Sequence, residues 1–386
     1  MISTCRSDLV ACTTGAGKGV EIDVTSDDFT AAVSSLDGAI PSLNASQIRA
    51  RMSNLVAMGQ DSHTMIYIAA VSRRFPFTAT HFADGWYLTA IDPSSSHKLG
   101  WKLTALGGVD ADSLADAVAP YIPHDNRSWL VESAPDYLCM EDILNAMGLL
   151  TPKGTVRLDL QDSGGSPASL ELFPGGSLYT SDAALGAALP LYRQRTSDNY
   201  WYQYDNADRL LYVRYRKCAE QPDRPSGAFW QEVLNAFDQN PVDRLVVDFR
   251  DNTGGDDSII NPLLMGIQQR FGRFGNPTRF YGLMNGGTFS SGLLDVMSFK
   301  EGAIMMGLPF VRIFGEPTGG NPNSYGNVYT YQLPASGISF QLSARYFGSM
   351  FKDDALQPDV LVPLRSDQYL QGVDPVWDAV LADRIN

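Results

Sequence analysis

Two strand, turn and helix units in the second half of the chain constrain its fold more than any other feature. The first places RLVVDF as a strand, RDNTGGDDS as a turn and IINPLLMGIQQRF as a helix, over residues 244–271. The second repeats this order in TRFYGLM, NGGTFSSG and LLDVMSF, over residues 278–299. β-Branched runs of this kind are typical of strands buried on both faces of a parallel sheet. The pattern predicts an α/β fold in which residues 245–249 and 279–283 are neighbouring parallel strands.

The first half of the chain has a different pattern. Residues 26–58 have helical spacing of apolar residues, with Ser26 and Asp27 as candidate N-cap residues. Short alternating runs then predict strands in MIYIAAV, GWYLTAI and WKLTAL, followed by a helix in ADSLADAVAPYI. The segment QDSGGSPAS, residues 161–169, is rich in turn residues and predicts a surface loop in a β region. Further along, AFWQEVLNAF predicts an amphipathic helix.

Composition and charge exclude several function classes. The chain has 386 residues, a formal net charge of −14 and a pI near 4.7. This acidic balance argues against a nucleic-acid partner, because binding to a phosphate backbone depends on clustered Lys and Arg. No apolar stretch approaches the roughly 20 residues of a transmembrane helix, and the start of the chain has no apolar signal segment. The GAGKG segment at residues 15–19 lacks the flanking residues of a phosphate-binding loop.

The sequence predicts neither a disulfide framework nor a cofactor. The four cysteines, Cys5, Cys12, Cys139 and Cys218, are too few and too scattered for disulfides or zinc, and buried thiols are expected. Aspartates at positions 248, 251, 256 and 257 fall in a strand and a turn where Asp is common, without His or Cys nearby. We therefore expect no metal ion at that loop.

Ser290 lies between a predicted strand and the start of a predicted helix. At such a position backbone N–H groups are unpaired and the helix dipole favours negative charge, so an oxyanion formed there is stabilised. Gly254 and Gly255 on the neighbouring loop have no side chains, and their N–H groups can approach a carbonyl oxygen closely. Spacing alone leaves a second interpretation open, in which Ser290 only caps the helix.

Four segments in order over residues 244–380 carry a family resemblance. They are VVDFRDNTGGDDS, TFSSG, FGEPTGGNPNSYG and LQPDVLV with the following DQYLQGVDPVWDAVL. Together they resemble the catalytic domain of the C-terminal-processing (tail-specific) serine peptidases, to which the tricorn core protease is related. Upstream, GQDSHT and FADGWYLTAIDPSSSHKLGWKLTALGGV resemble the segments that precede this domain, the latter a degenerate PDZ-like unit.

The resemblance implies a domain organisation and part of a catalytic site. It implies a leader and helical unit over residues 1–60, a PDZ-like domain over 61–155 and a crotonase-like (ClpP/crotonase type) βα superhelix over 156–386. Ser290 matches the nucleophile of the family, and the Ser291 N–H matches one oxyanion donor. Gly254 or Gly255 would supply the other. A peptide or protein substrate and no cofactor are implied, while the oligomeric state stays open.

The chain departs from the family pattern at the general base. Tail-specific members use a lysine where this sequence has Asn321, and an amide cannot accept the serine proton. Tricorn-type relatives carry a Ser-His pair at a position that matches Ser62 and His63, which implies His63 as the base. A structural role for His63 at a domain junction is the alternative. Glu316 either supports the histidine or a substrate amine, or caps its own loop.

Two function classes follow from these observations. The first is a serine peptidase that forms an acyl-enzyme on Ser290. The second is a catalytically inactive homologue that binds a peptide or an apolar ligand in the same cleft, as retinoid-binding relatives do. Loss of the lysine favours the second, and retention of SSG, NTGG and DSH favours the first. The location is cytoplasmic if Met1 is the true start and extracytoplasmic by family resemblance.

Overall fold

The computed structural model describes residues 24–275 and 278–383, which form two compact units. The first unit contains the described residues up to Gly186, with Asn323–Gly348 and Arg365–Gln371. The second contains Ala187–Pro322, Ser349–Leu364 and the described residues from Gly372 onward. The predicted leader, the GAGKG segment, Cys5 and Cys12 lie outside the described residues. Residues 156–186 belong to the first unit, and the predicted three-part division stays a prediction.

The secondary structure is a mixture of helices and strands, as the sequence predicts. The helices are α1 Ser26–Ala39, α2 Ala45–Ala57, α3 Leu114–Val118, α4 Arg127–Tyr137, α5 Glu141–Ala146, α6 Ser181–Leu185, α7 Ser226–Gln239, α8 Asn261–Gln269, α9 Ser291–Met306, α10 Ser366–Gln371 and α11 Pro375–Ala382. The strands are β1 Met65–Ile66, β2 Phe77–Phe82, β3 Gly85–Ile91, β4 Lys102–Leu106, β5 Val109–Asp110, β6 Val156–Gln161, β7 Pro167–Leu172, β8 Tyr179–Thr180, β9 Tyr200–Asp205, β10 Leu210–Tyr215, β11 Arg244–Asp248, β12 Arg279–Met284, β13 Val311–Gly315, β14 Ser324–Gln332, β15 Ser339–Phe347 and β16 Val360–Leu361.

The first unit is built on two antiparallel sheets. Strands β2, β3, β4, β6 and β7 pair in that order, with β5 against β4 and β8 against β3. The loop predicted at residues 161–169 is found at residues 162–166, where it joins β6 to β7; residues 167–169 belong to β7. The second sheet has the order β1, β15 and β14.

Two local predictions for the first unit need correction. MIYIAAV is not a long strand, because only Met65 and Ile66 pair with β15 before a 3-10 helix begins at Ile68. The N-cap of α1 is Thr25 and not Ser26 or Asp27. The Thr25 side chain accepts from the Asp28 N–H and the Asp28 carboxylate accepts from the Thr25 N–H, which completes a capping box.

The second unit contains a six-stranded sheet with the order β16, β13, β12, β11, β10 and β9. All neighbouring strands are parallel except β9, which is antiparallel to β10. Leu245 lies opposite Phe280 and Asp248 opposite Leu283 in the β11–β12 register. The prediction that these two segments are neighbouring parallel strands is therefore confirmed.

Helices cover both faces of this parallel sheet, which explains why its strands are apolar throughout. Leu245 and Val247 face a cluster that includes the buried side of α7, while Val246 faces a cluster with α11. The apolar stripe predicted for α7 is confirmed, since Phe229, Trp230, Val233, Leu234 and Phe237 are all buried. A parallel sheet covered on both faces places the carboxyl ends of its strands at one edge, where loops are free to carry side chains.

A buried ion network holds the end of β11. Arg250 donates to Asp248 Oδ1 at 2.9 Å and to Asp374, the N-cap of α11, through two bonds of 2.9 Å each. Arg214 on β10 contacts Asp248 Oδ1 at 3.5 Å, and Tyr212 donates to Asp248 Oδ2 at 2.9 Å. Burial acts to raise the pKa of Asp248, but the two guanidinium groups hold it below its ordinary value. These charges are compensated within the network, which fixes the start of the loop after β11.

Replacing Asp374 with Ala should therefore destabilise the second unit strongly. The change leaves a buried guanidinium half-paired and removes the cap of α11, so we expect a loss of about 3–5 kcal/mol. Chemical denaturation followed by fluorescence of the buried Trp201 and Trp230 measures it. Asp378→Ala, an exposed change in the same helix, is the matched control and should cost little. Equal losses for the two variants would contradict a stabilising role for the network.

Candidate active site

Ser290 stands at the junction between the turn after β12 and helix α9, with a strained backbone. Its φ is +51° and its ψ is −130°, a conformation that L-residues with a side chain rarely adopt. Strand-to-helix turns with a strained serine present the nucleophilic hydroxyl in α/β-hydrolases. Ser290 occupies the N-cap position of α9, but its side chain makes no capping hydrogen bond. The residue is partly exposed.

The strain at Ser290 is maintained by the turn that precedes it. The Asn285 N–H donates to Thr288 Oγ1 at 3.1 Å, and Thr288 Oγ1 donates to the Phe249 carbonyl at 3.0 Å. The Phe289 N–H donates to the Asn252 carbonyl at 2.9 Å. The turn after β12 is thus tied to the loop after β11 at several points. The expectation that two such loops lie side by side is confirmed.

Gly254 makes the closest approach between the two loops. A β-carbon built on Gly254 would lie 2.6 Å from Ser290 Cβ, 2.7 Å from the Ser291 nitrogen and 3.1 Å from Ser290 Oγ. Its φ of +95° also favours glycine. Ser291 Oγ in turn donates to the Gly255 carbonyl at 2.7 Å. The structure therefore brings Ser290, Ser291, Gly254 and Gly255 together, as the sequence predicts.

The two glycines differ in the use of their N–H groups. The Gly254 N–H donates to Asn252 Oδ1 at 3.0 Å, so it is already occupied. The N–H groups of Gly255 and Ser291 have no acceptor among the described residues. Of the two candidate donors on this loop, Gly255 thus keeps a free N–H, and Ser291 has the second at the N-terminus of α9. Two free N–H groups beside a hydroxyl are what an oxyanion site requires.

A buried cluster under the loop was missed by the sequence analysis. Cys218 Sγ lies 3.5 Å from Asn252 Oδ1 and 3.3 Å from Asp295 Oδ2. The backbone of Cys218 also holds the loop, since its N–H donates to the Gly254 carbonyl at 3.2 Å and its carbonyl accepts from Asp256 at 2.7 Å. A β-carbon on Gly255 would lie only 2.0 Å from that carbonyl oxygen. Cys218 and Cys139 are both buried and free, as predicted for these thiols.

Asp295 is the most perturbed carboxyl group of this cluster. It is 2% exposed and lies one turn after Ser291 on α9. Burial raises the pKa of Asp295 to about 8; the Cys218 contact opposes this and the nearby Asp257 carboxylate adds to it. A carboxylic acid inside the apolar run LLDVM is a sequence signal that could have identified it. Asn252 gave no such signal, because Asn is common in turns.

Glu316 and Asn321 lie on the loop after β13, in the same unit as Ser290. The Gly320 N–H donates to the Thr288 carbonyl at 3.1 Å, and a β-carbon on Gly320 would lie 3.4 Å from Phe289 Cα. This loop therefore packs against the turn that leads into Ser290. Glu316 Oε1 accepts from the Leu364 N–H at 3.3 Å, and burial raises the pKa of its carboxyl group.

His63 and Ser62 belong to the first unit. His63 is 8% exposed; its N–H donates to Asp61 Oδ1 at 3.0 Å and its carbonyl accepts from Gln341 at 2.7 Å. Burial lowers the pKa of the imidazole, and the Asp61 carboxylate opposes this. Ser62 Oγ is buried and has no hydrogen-bond partner among the described residues, so it does not orient His63 by a direct bond. The catalytic role of this pair stays a prediction.

Two further features concern cofactors and membranes. Within residues 24–275 and 278–383, no three His, Cys, Asp or Glu residues group in a way that could hold a metal ion. Over the same ranges, every helix is too short or too polar to span a bilayer.

Comparison with solved structures supports the fold. CPAF in complex with lactacystin aligns with a TM-score of 0.63 at 12% identity, over 98% of each chain. A serine-to-alanine mutant of CPAF aligns with a TM-score of 0.64 at 12% identity, over 98% of this chain and 95% of that one. The photosystem II D1 C-terminal processing protease aligns over 96% of this chain and 98% of its own at 14% identity, but its TM-score of 0.40 is too low to show a common fold. No protein-family model matches the sequence, and neither does any curated protein.

The fold shared with CPAF agrees with the predicted resemblance to C-terminal-processing peptidases at the level of the fold. The chain has a mixed α/β fold shared with CPAF over nearly its whole length. At 12% identity this likeness concerns the fold alone.

Gly254→Ala should disrupt the contact between the two loops. The new methyl group would collide with the backbone of Ser291, which cannot move aside as a flexible side chain can. Gly307→Ala is the control, since Gly307 also has positive φ but open space around it and should cost only about 1 kcal/mol. Thermal unfolding of both variants should show the larger loss for Gly254→Ala. A smaller loss of stability in Gly254→Ala than in Gly307→Ala would contradict the close packing of the loop after β11 against the turn after β12.

Asp295→Asn should stabilise the protein increasingly as pH rises. The folded pKa of Asp295 is about 8, and an unfolded aspartate titrates near about 3.9, so the folded state binds the proton more tightly. The free energy of unfolding of the wild type therefore decreases from about pH 4 to about pH 8, by up to about 1.4 kcal/mol per pH unit. The variant, whose amide does not titrate, avoids this decrease. Denaturation midpoints across this range measure the difference. A constant difference between the two proteins would contradict the raised pKa.

Proposed function

We propose that this protein is a serine peptidase that forms an acyl-enzyme on Ser290. The observation that carries the proposal is the strained backbone of Ser290 at the N-terminus of α9. Its hydroxyl makes no capping hydrogen bond and lies beside the free N–H groups of Gly255 and Ser291. The fold shared with CPAF supports a peptidase-like architecture. We also propose that the parallel sheet is of the crotonase type and that the antiparallel part of the first unit is PDZ-like.

The proposed reaction follows ordinary acyl transfer. Ser290 Oγ attacks the carbonyl carbon of the scissile peptide bond while His63 accepts its proton, with Ser62 retained from the resemblance as a supporting residue. The N–H groups of Gly255 and Ser291 stabilise the negative charge on the carbonyl oxygen. His63 then returns the proton to the leaving amine, and water hydrolyses the acyl-enzyme. Glu316 and Asn321 are proposed as supporting residues, and the substrate is a peptide or protein.

A second candidate function is that of an inactive homologue that binds a peptide or an apolar ligand. It is favoured by Asn321, which stands where the family resemblance implies a lysine. The first unit also contains a cavity of about 380 Å³ lined mainly by apolar side chains, a size usual for ligand pockets. That cavity lies between α1, α2 and the sheet of β1, β15 and β14, all within the first unit.

Labelling by a fluorophosphonate probe tests the nucleophile directly. We expect a stoichiometric adduct on Ser290 in the intact protein, located by mass spectrometry, because an activated serine is phosphonylated and an ordinary one is not. Ser290→Ala should abolish it. Ser298→Ala, an exposed change on the same helix, is the control and should leave labelling intact. Absence of any adduct would favour the binding protein.

Variants of His63 and Asn321 test the base. Peptidase activity should rise with pH through an apparent pKa below that of an ordinary imidazole, since burial lowers the pKa of His63 and only the neutral ring accepts a proton. His63→Ala and Ser290→Ala should each remove most turnover, and the double variant should be little worse. Asn321→Ala should cost far less. Turnover of these variants is measured from about pH 5 to about pH 8. Near-normal rates in His63→Ala together with a loss of activity in Asn321→Ala would overturn the assignment of His63 as the general base.

A further inference from the structure

The cluster of Asp295, Cys218 and Asn252 forms a chain that ends at the proposed oxyanion loop. Asp295 Oδ2, Cys218 Sγ and Asn252 Oδ1 follow one another at 3.3 and 3.5 Å. Asn252 Oδ1 then accepts the Gly254 N–H at 3.0 Å, and Asn252 Nδ2 donates to the Tyr215 carbonyl at 2.9 Å. This second bond fixes which end of the amide faces the loop. The cluster links helix α9 to the peptide that immediately precedes the free Gly255 N–H.

The number of protons in this chain depends on Asp295. Asn252 Oδ1 can only accept, and the thiol of Cys218 has a single proton to donate. If Asp295 is ionised, that proton is attracted to its carboxylate and Asn252 loses the thiol as a donor. If Asp295 is neutral, its own O–H can point to Cys218 Sγ, and the S–H is left for Asn252. The neutral acid thus supplies the proton that completes a chain of donors from α9 towards the loop.

We propose that Asp295, in its neutral form, is a positioning residue for the oxyanion loop, acting through Cys218 and Asn252 on the peptide of Gly254 and Gly255. This inference rests on the proposed function of that loop. It predicts that the oxyanion site is assembled at neutral pH and loosens when Asp295 loses its proton. Asp295 touches neither the substrate nor Ser290 in this scheme.

The surroundings of Asp295 agree with a neutral acid. Among the described residues, the groups that affect its pKa most are Cys218, Asp257, Tyr215 and Asp256, and none of them is a lysine or an arginine. Burial raises its pKa to about 8 and raises that of Cys218 as well, so the thiol stays protonated. The Tyr215 hydroxyl is buried in the same cluster and is a further donor near Cys218 and Asp295, where it acts against the rise in the pKa of Asp295.

The rate of fluorophosphonate labelling at Ser290 tests the proposal at different pH values. In the wild type the labelling rate should fall about tenfold from about pH 7 to about pH 9, because Asp295, with a pKa of about 8, loses its proton over this range. Asp295→Asn keeps an N–H donor towards Cys218 without titrating, and its rate should change less than about twofold over that range. Asp257→Asn leaves the Asp295 acid in place and should retain the fall at a lower pH, because it removes a carboxylate that raises the pKa of Asp295. Parallel profiles for wild type and Asp295→Asn would overturn the proposal.

Variants of the thiol separate positioning from simple packing. Cys218→Ser keeps a donor of similar size and should preserve labelling near neutral pH, whereas Cys218→Ala should slow labelling at every pH. Should Cys218→Ala fail to fold, the comparison of Asp295→Asn with Asp257→Asn still decides the question. Labelling that is equally slow in Cys218→Ser and Cys218→Ala would contradict transmission through a donated hydrogen bond.

An infrared measurement keeps this inference distinct from the proposed function. The S–H stretching band of Cys218, assigned by its loss in Cys218→Ser, reports which group the thiol donates to. It should shift as pH rises through about 8 in the wild type and stay constant in Asp295→Asn. If Ser290 is never labelled but the band shifts, the peptidase proposal fails and the Asp295 chain stands. A band that does not respond to pH would overturn the chain itself.

Discussion

The bidentate contact between Arg250 and Asp374 is the interaction on which the geometry of the second unit depends. It joins Arg250, two residues after the end of β11 at Asp248, to the N-cap of α11, more than a hundred positions away in the chain. A shift of β11 by one residue would move Asp248 to the opposite face of the sheet and leave Arg250 without it. Such a shift is strongly disfavoured, because an unpaired buried charge lowers the free energy of unfolding by several kcal/mol. The network therefore sets the register at the edge of the sheet that carries the loops.

That fixed edge allows the strained conformation of Ser290 to persist. A residue with a side chain at φ +51° is costly on its own and survives only where its surroundings determine it. Here the Thr288 hydroxyl and the Phe289 N–H bind the turn to Phe249 and Asn252 of the adjacent loop. The loop in turn begins at the ion network. The strain is thus supported by a sequence of contacts that starts in the core and not by the turn alone.

The sequence predicted what local patterns determine. The β-branched strand of residues 244–248, its parallel neighbour and the helix of Ser226–Gln239 were all recognisable, because burial on both faces leaves a clear apolar signature. The pairing of Ser290 with Gly254 also followed from two loops of the same design. What the sequence could not supply was the direction of each backbone N–H, which separates Gly254 from Gly255. Nor could it place Cys218 and Asp295, whose contacts span segments far apart in the chain.

The Asn252 side chain explains why the N–H groups of Gly254 and Gly255 differ, one being bonded within the loop and the other being free. Successive peptide groups in a tight loop cannot all donate inward, and here the Gly254 N–H is directed to the Asn252 side chain. The following Gly255 N–H is left without an internal acceptor. An aspartate at position 252 would also accept the Gly254 N–H, but it could not donate to the Tyr215 carbonyl as the amide does at 2.9 Å. The amide therefore anchors one peptide so that the next remains available, and any oxyanion held by Gly255 depends on a side chain that never touches it.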